Sequence, residues 1–365
     1  MFIDFRLYQK RKVYIFAELK KALIMNKLKI IATLLFIGNM AVSAQNADFK
    51  KMLEYAIKAP SGHNTQPWKF KLMDNSIEIH PNLDCTLAVV DANRRELYIS
   101  LGCATENLCI AAHELGYNTE TDISPENNEY IIRIKLEKAM EAPEPLFRQI
   151  EKRQTNRSVY KSRMITNDTI QMLRNNCSQS GAHCYFYKNR ESLYQTLADF
   201  TFQGNKVQMS DKNFKNELKK WIRYNKKQVK ETKDGLTYAV MGSPSMPKWI
   251  GKPIVSSFLN PKAQNKSDKI KINSSSHFVL FTTNESKPEN WIMLGRSLEQ
   301  FLLKCTELGI ATTFLNQSCE VEQLATKLQT TLPIHNEYPM LLLRIGYADP
   351  MPYSPRKPLD NEIIK

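Results

Sequence analysis

Three short stretches of this chain carry side chains suited to binding chemistry. From Ala59 to Trp68 it reads Ala-Pro-Ser-Gly-His-Asn-Thr-Gln-Pro-Trp, hydroxyl, imidazole and amide groups held between two prolines. From Arg153 to Tyr160 it reads Arg-Gln-Thr-Asn-Arg-Ser-Val-Tyr, and Pro355-Arg356-Lys357-Pro358 places two more cations near the C-terminus. Donors and acceptors on a short loop suit a planar polar ligand. Guanidinium groups, as rigid forks of N–H donors, suit a phosphate. The same residues would also serve as an ordinary helix-to-strand connection and a solvated basic turn.

The elements that must position these groups can be read from periodicity. Phe49, Met52, Leu53, Ala56 and Ile57 fall at helical spacing, and Pro60 cannot continue that helix. Pro67 restricts Gln66, and Trp68-Lys-Phe-Lys-Leu72 alternates as a strand does. Further strands are expected at Ser76–His80, Tyr130–Leu136, Cys184–Lys188, Phe278–Thr282 and Met340–Gly346. A long helix is expected over Asn93–Gly116, with Leu97, Leu101, Ala104, Leu108, Ala112 and Leu115 as its core stripe and Gly116 as its C′ residue. Thr166 reads as the N-cap of a helix to Asn176, and Glu191–Phe202 as another helix.

The second half of the chain repeats part of the first. Leu294-Gly295-x-x-x-Glu299-x-Phe301-x-Leu303, with Glu307-Leu308-Gly309, shadows Leu101-Gly102-x-x-x-Glu106-x-Leu108-x-Ile110, with Glu114-Leu115-Gly116. Each pair is offset by 193 residues without a gap, which argues for internal duplication. Glu106 and Glu299 are expected to cap or pair within their helices. Pro143-Glu-Pro145 marks the join. Residues 205–275 interrupt the repeat with a Lys-rich insertion containing Trp221, Tyr224, Met246 and Trp249.

Composition bounds the rest. With 365 residues, 42% hydrophobic and 24% charged, the chain can bury a full-sized core. The formal charge is +14, and residues 1–44 contribute eight basic and two acidic residues, leaving about +8 beyond them. That surplus suits an anionic ligand; no helix-turn-helix, zinc-finger or RRM pattern supports a nucleic acid. Met25-Asn-Lys-Leu-Lys, the apolar run Ile30–Met40 and Ala41-Val-Ser-Ala44 read as a signal peptide cleaved before Gln45, with export to the periplasm and no membrane anchor afterwards. The seven cysteines all follow that cut, so at least one is unpaired, and no clustered His or Cys spacing suggests a metal.

Ala-Pro-Ser-x-x-Asn-x-Gln-Pro-Trp resembles the flavin-contacting loop of the nitroreductase family, and His63 makes it more similar to the twin-domain branch, in which two such halves share one polypeptide. The resemblance runs over roughly residues 48–363. It implies an α+β pseudo-dimer, with a first half at 45–142, a second at 146–363 and a lid-like segment at 205–275. The cofactor implied is FMN, held by Pro60, Ser61, Gly62, Asn64 and Gln66, by Arg153, Thr155 and Arg157, by Gly309 near the ring, and by Arg356 and Lys357 at the phosphate. The activity implied is hydride transfer through the flavin between a small-molecule electron donor and a nitroaromatic, quinone or similar acceptor. No nucleophile or general base is then required, so no catalytic side chain is named. Sequestration of FMN with little turnover is the alternative. The Pro60–Asn64 loop survives only in the first half and the arginines only at the start of the second. One complete site, one FMN per chain and a self-sufficient monomer are therefore expected.

Overall fold

The computed structural model describes residues 47–140, 143–175, 177 and 181–364, together with parts of a helical stretch at 12, 14, 16, 20, 21 and 23–29. Residues 30–46, which hold the expected cleavage motif, lie outside the described residues. The chain divides into two units, Met1–Lys51 and Met52–Lys365. Helix α1, over 47–56, crosses that boundary. Among the described residues no helix is long and apolar enough to cross a membrane.

The larger unit is α+β, with two separate four-stranded sheets. Alternation in β1 (Trp68–Leu72) buries Trp68 and Phe70 while Lys69 and Lys71 reach outward. It pairs with β2 (Ser76–Pro81), Phe70 opposite Ile79. After α2 (Arg95–Glu114) come β3 (Tyr117–Glu126) and β4 (Glu129–Lys138), giving an antiparallel sheet in the order β1-β2-β4-β3. The polar strand β3 had no signal in the periodicity; its ten residues are fixed by pairing along β4.

The second sheet follows α3 (Asn167–Asn175), where Thr166 Oγ1 accepts from the Thr169 amide as an N-cap would. β5 (Ala182–Lys188) is followed by α4 (Ser192–Ser210), α5 (Lys212–Lys220), β6 (Ile222–Arg223), α6 (Lys226–Thr232), β7 (Leu236–Thr237), α7 (Lys248–Phe258) and α8 (Pro261–Asn273). Then come β8 (His277–Thr283), α9 (Pro288–Glu307), β9 (Ala311–Phe314), α10 (Gln317–Glu320), α11 (Glu322–Thr331) and β10 (Tyr338–Gly346). The sheet order is β5-β8-β10-β9, all antiparallel. Phe278 and Phe281 of β8 are fully buried, and Phe281 meets Phe301 of α9 edge-on at 5.3 Å. The chain's last residues return to the first sheet, where the Phe70 amide donates to Glu362 O and the Ile364 amide to Phe70 O.

The helices α2 and α9 pack together through their glycines, Gly102 and Gly295. Glu106 does not pair within its own helix: it accepts from Arg296 Nε at 2.8 Å and Gln300 Nε2 at 2.5 Å, both on α9. Glu299 likewise leaves its helix and pairs with Arg153 at 3.3 Å. Both are buried; the turn around Glu106 carries no cation, and Arg296, one turn before Glu299 on α9, is engaged by Glu106. Cys177 and Cys184 form a disulfide between the end of α3 and β5, and the other five cysteines are free and buried.

Candidate functional site

A cavity of about 780 Å³ gathers most of the residues that the sequence singles out. Pro60, Ser61, Gly62, His63 and Asn64 form one wall; Arg153, Gln154, Thr155 and Arg157 form another; Pro352 to Arg356 close a third. Gln66, Lys357 and Gly309 are not among its lining residues.

The loop after α1 is tightly wound. Ser61 Oγ accepts from the Gln66 amide at 3.0 Å, and His63, Asn64 and Gln66 all take left-handed backbone conformations, φ 49°, 56° and 55°. Each such non-glycine residue costs about 1 kcal/mol or more, a cost the surrounding contacts must outweigh. Gly62 is required for space, since a Cβ there would sit 3.0 Å from Leu87 Cδ1 and 3.2 Å from Glu96 Oε2. Gln66 supports the loop from beneath: its Nε2 donates to Lys233 O at 3.0 Å and its Oε1 accepts from the Lys357 amide at 2.8 Å. Lys357 Nζ donates to Thr65 O, so this lysine braces the loop instead of facing the cavity.

Arg356 reaches the cavity but spends its donors on protein. Its guanidinium donates to the carbonyls of Ile57, Lys58 and Ala59 beyond α1 and to Asn64 Oδ1. Burial, with Arg153 nearby, lowers its pKa to about 9. Arg153 is divided in the same way, with Nη2 on Lys58 O at 2.8 Å and Nε facing Glu299. Burial pushes Glu299 up to about 7, against the pull of Arg153. Both arginines therefore knit the walls together.

Arg157 differs. Its Nη1 is buried and has no hydrogen-bond partner among the described residues. Burial lowers its pKa to about 10, and burial together with Arg157 pushes His63 down to about 4, so His63 is neutral near pH 7. Arg157 is held firmly in place. Thr313 Oγ1 and the Tyr160 hydroxyl donate to Asn156 O, while Arg344 donates to Ser158 O at 2.8 Å and lies over the Tyr160 ring. A buried cation clamped at its backbone and bare at its tip suits an anion in the cavity.

Sequence reasoning missed another part of the wall. Glu96 at the start of α2, Asn316, Gln317 and Glu320 beside α10, and Gln208, Met209, Phe214 and Leu236 of the insertion all line the cavity. Asp91 anchors this corner by accepting from the amides of Glu96 and Leu97, each at 2.9 Å. These residues lie on separate elements with no shared local motif, so only the assembled fold reveals them. Gly309 follows α9 as its left-handed C′ residue, φ 67°, with open space around it. Its place is a helix end, which the expectation of a ring contact did not foresee.

Residues 29–112 match the family described as "Putative TM nitroreductase". A "Putative NAD(P)H nitroreductase" of Mycobacterium tuberculosis is 23% identical over 326 residues, covering 86% of this chain and 90% of the relative. A second of the same description and organism is 21% identical, covering 85% and 93%. Among solved structures, a nitroreductase with bound FMN from Bacteroides fragilis is similar at 13% identity with a TM-score of 0.34, covering 57% of this chain and 90% of that one. An FMN-dependent nitroreductase from Mycobacterium smegmatis in complex with NADPH gives 12%, 0.36, 55% and 86%. The chain is thus similar to nitroreductases, over residues 29–112 by the family match and over most of its length by the two relatives.

Proposed function

We propose that the chain is an exported flavin oxidoreductase, with one FMN held in the cavity between two nitroreductase-like halves. Arg157 carries the reading: a half-buried guanidinium whose buried Nη1 has no hydrogen-bond partner among the described residues, lining one cavity with Thr155 and the Ser61–Asn64 loop, has the charge and place for a phosphate. The volume lies within the range of cofactor sites. When bound, the flavin supplies the redox chemistry. The chain's own residues orient it: Arg157 meets the phosphate, the strained loop offers amides and the Asn64 side chain, and Arg153 and Arg356 fix the walls.

Export is supported by the basic and apolar N-terminal sequence with Val-Ser-Ala44, and by the Cys177–Cys184 disulfide, a bond that persists in oxidising compartments. The M. tuberculosis relatives are named for NAD(P)H. An exported chain would need another donor, or one supplied from outside the cytosol. Acceptors with quinone or nitroaromatic groups fit the volume.

One observation favours sequestration of FMN instead. The insertion is fastened over the loop, with the Gly235 amide donating to Asn64 O, Asn64 Nδ2 to Gly235 O and Gln66 Nε2 to Lys233 O. Purification of the exported protein, its flavin spectrum and anaerobic mixing with NADH and NADPH decide between the two readings. Rapid bleaching is expected of the enzyme, and a yellow protein that neither donor bleaches would sink turnover with these donors. An intact mass beginning at Gln45 is expected; a mature chain that keeps residues 25–44 would remove the export reading.

A further inference from the structure

Two carboxyl groups from distant parts of the chain line the cavity. Glu96, at the start of α2, and Glu320, at the end of α10, lie close enough for their charges to interact. Two buried carboxyl groups placed so cannot both ionise cheaply, which favours keeping one proton on the pair. Neutral amides occupy their remaining positions: Asn316 Nδ2 donates to Glu96 Oε1 at 3.1 Å, and Gln208 Nε2 to Glu320 Oε2 at 2.5 Å. Asn316 is itself fixed, its Oδ1 accepting from the Leu342 amide. The charged neighbours are Asp91, whose carboxylate is engaged by two amides, and Arg95, whose Nη1 donates to Cys319 O. All four side chains of the cluster, Glu96, Glu320, Asn316 and Gln208, line the cavity.

A pair that only tied the two segments together would do so better as an amide and a carboxylate, without a buried proton. Burial holds both carboxyl groups above the ordinary carboxylate range, and the charge of Glu320 adds to the rise at Glu96, so the proton stays near neutral pH. Burial, then Glu96, also pushes Asp91 up to about 6. Arg157 lines the same cavity and, on the reading above, takes the anion.

We infer that the Glu96–Glu320 pair is the proton donor to an electron acceptor of the quinone type reduced in this cavity. The inference rests on the flavin reading above. Reduction by hydride brings two electrons and one proton to the acceptor, and a hydroquinone needs one proton more. The carboxyl O–H bond breaks, its electron pair remains on the carboxyl group, and an O–H bond forms at the acceptor oxygen. A proton from water then restores the pair. General acids placed in this way contribute about 10²- to 10⁴-fold to rate.

The test uses the full flavin-loaded chain, reduced with dithionite so that no donor need be known, then mixed with 1,4-benzoquinone in a stopped-flow instrument. Glu96→Gln with Glu320→Gln should slow reoxidation at pH 7 by about 10²-fold or more, with flavin affinity within threefold of wild type. If the double variant does not fold, Glu320→Gln alone carries the test, with at least about tenfold slowing expected. Infrared spectra of the flavin-free chain at pH 7 should show a protonated carboxyl band that the glutamine variant lacks. Reoxidation at the wild-type rate in a loaded variant, or no such band, overturns the inference and leaves the flavin reading standing. A wild-type chain that takes up no flavin overturns both.

Discussion

Gly102 and Gly295 are reciprocal neighbours: a Cβ on Gly102 would lie 2.0 Å from Ile292 O, and one on Gly295 would lie 2.1 Å from Ile99 O. Both pairs, Gly102 with Gly295 and Ile99 with Ile292, are related by the 193-residue offset of the sequence repeat. The obstruction in each case is backbone, which cannot rotate aside. Gly102→Ala should therefore push α2 and α9 apart and cost about 3 kcal/mol or more, at the upper end of overpacking effects. Urea unfolding of the flavin-free variant measures it, and a loss below about 1 kcal/mol would show that the helices slide readily.

Arg157 and Arg356 should behave oppositely. Arg157→Ala removes a buried charge that lacks a partner, so the flavin-free chain should hold its stability or gain some. FMN binding should weaken by about 1.5–3 kcal/mol, the range for charge-assisted hydrogen bonds. Titration calorimetry and thermal unfolding without flavin separate the two effects.

Arg356→Ala should damage the flavin-free chain itself. It leaves the carbonyls of Ile57 and Ala59 and Asn64 Oδ1 without that donor, and Lys58 O with only Arg153. A loss of about 3 kcal/mol or more is expected in urea unfolding. A variant of wild-type stability with weakened FMN binding would make Arg356 a phosphate ligand in the first place.

The buried acids set a pH dependence. Glu96 is raised by burial and by Glu320, and Glu299 is pushed up to about 7 by burial. The unfolded carboxylates titrate near 4.3, so above that the folded chain holds more protons than the unfolded one, and stability falls as pH rises towards the folded values. His63, lowered to about 4, acts with the opposite sign between pH 4 and 6.5 and not above. Between pH 6.5 and 8 the flavin-free chain should lose about 1–2 kcal/mol, and the glutamine variants of Glu96 and Glu320 should lose less. A stability that rises over this interval would contradict the buried, protonated acids.

Stoichiometry checks the two-half reading. The Pro60–Asn64 loop and the Arg153–Arg157 stretch occur once each and line one cavity. One FMN per chain is expected from released flavin against protein concentration, unchanged when the protein is diluted to monomer. Two per chain would refute it.

Local pattern made much of the fold legible. Trp68–Leu72 alternates cleanly and is β1; the leucine stripe and Gly116 delimit α2, and Gly116 takes the expected left-handed φ of 75°. β3 was silent because Asn118, Glu120 and Asp122 interrupt any apolar alternation, and its pairing with β4 decides its state. The helix read as Glu191–Phe202 runs on to Ser210, since Gly204 packs against Gln317 and its missing side chain permits the approach. At the site, the motifs identified the loop and the arginines but not their division of labour. Whether a guanidinium faces a ligand or a row of carbonyls depends on residues far away in sequence. The Glu96–Glu320 pair had no local signature, being joined only where α2 meets α10.

The bond between Arg356 and the end of α1 has a consequence for how the protein is made. Ile57, Lys58 and Ala59 leave the ribosome about three hundred residues before the guanidinium that satisfies their carbonyls, the separations being 299, 298 and 297 residues. Lys357, which braces Gln66 and Thr65, arrives later still. During synthesis the early sheet can pair within itself, but the strained loop at 61–66 must wait for Arg356 and Lys357. A polypeptide halted before Pro355 would carry every residue of that loop and none of its C-terminal support. Flavin capture would then require synthesis past Lys357, and a nascent chain arrested at residue 350 should remain colourless.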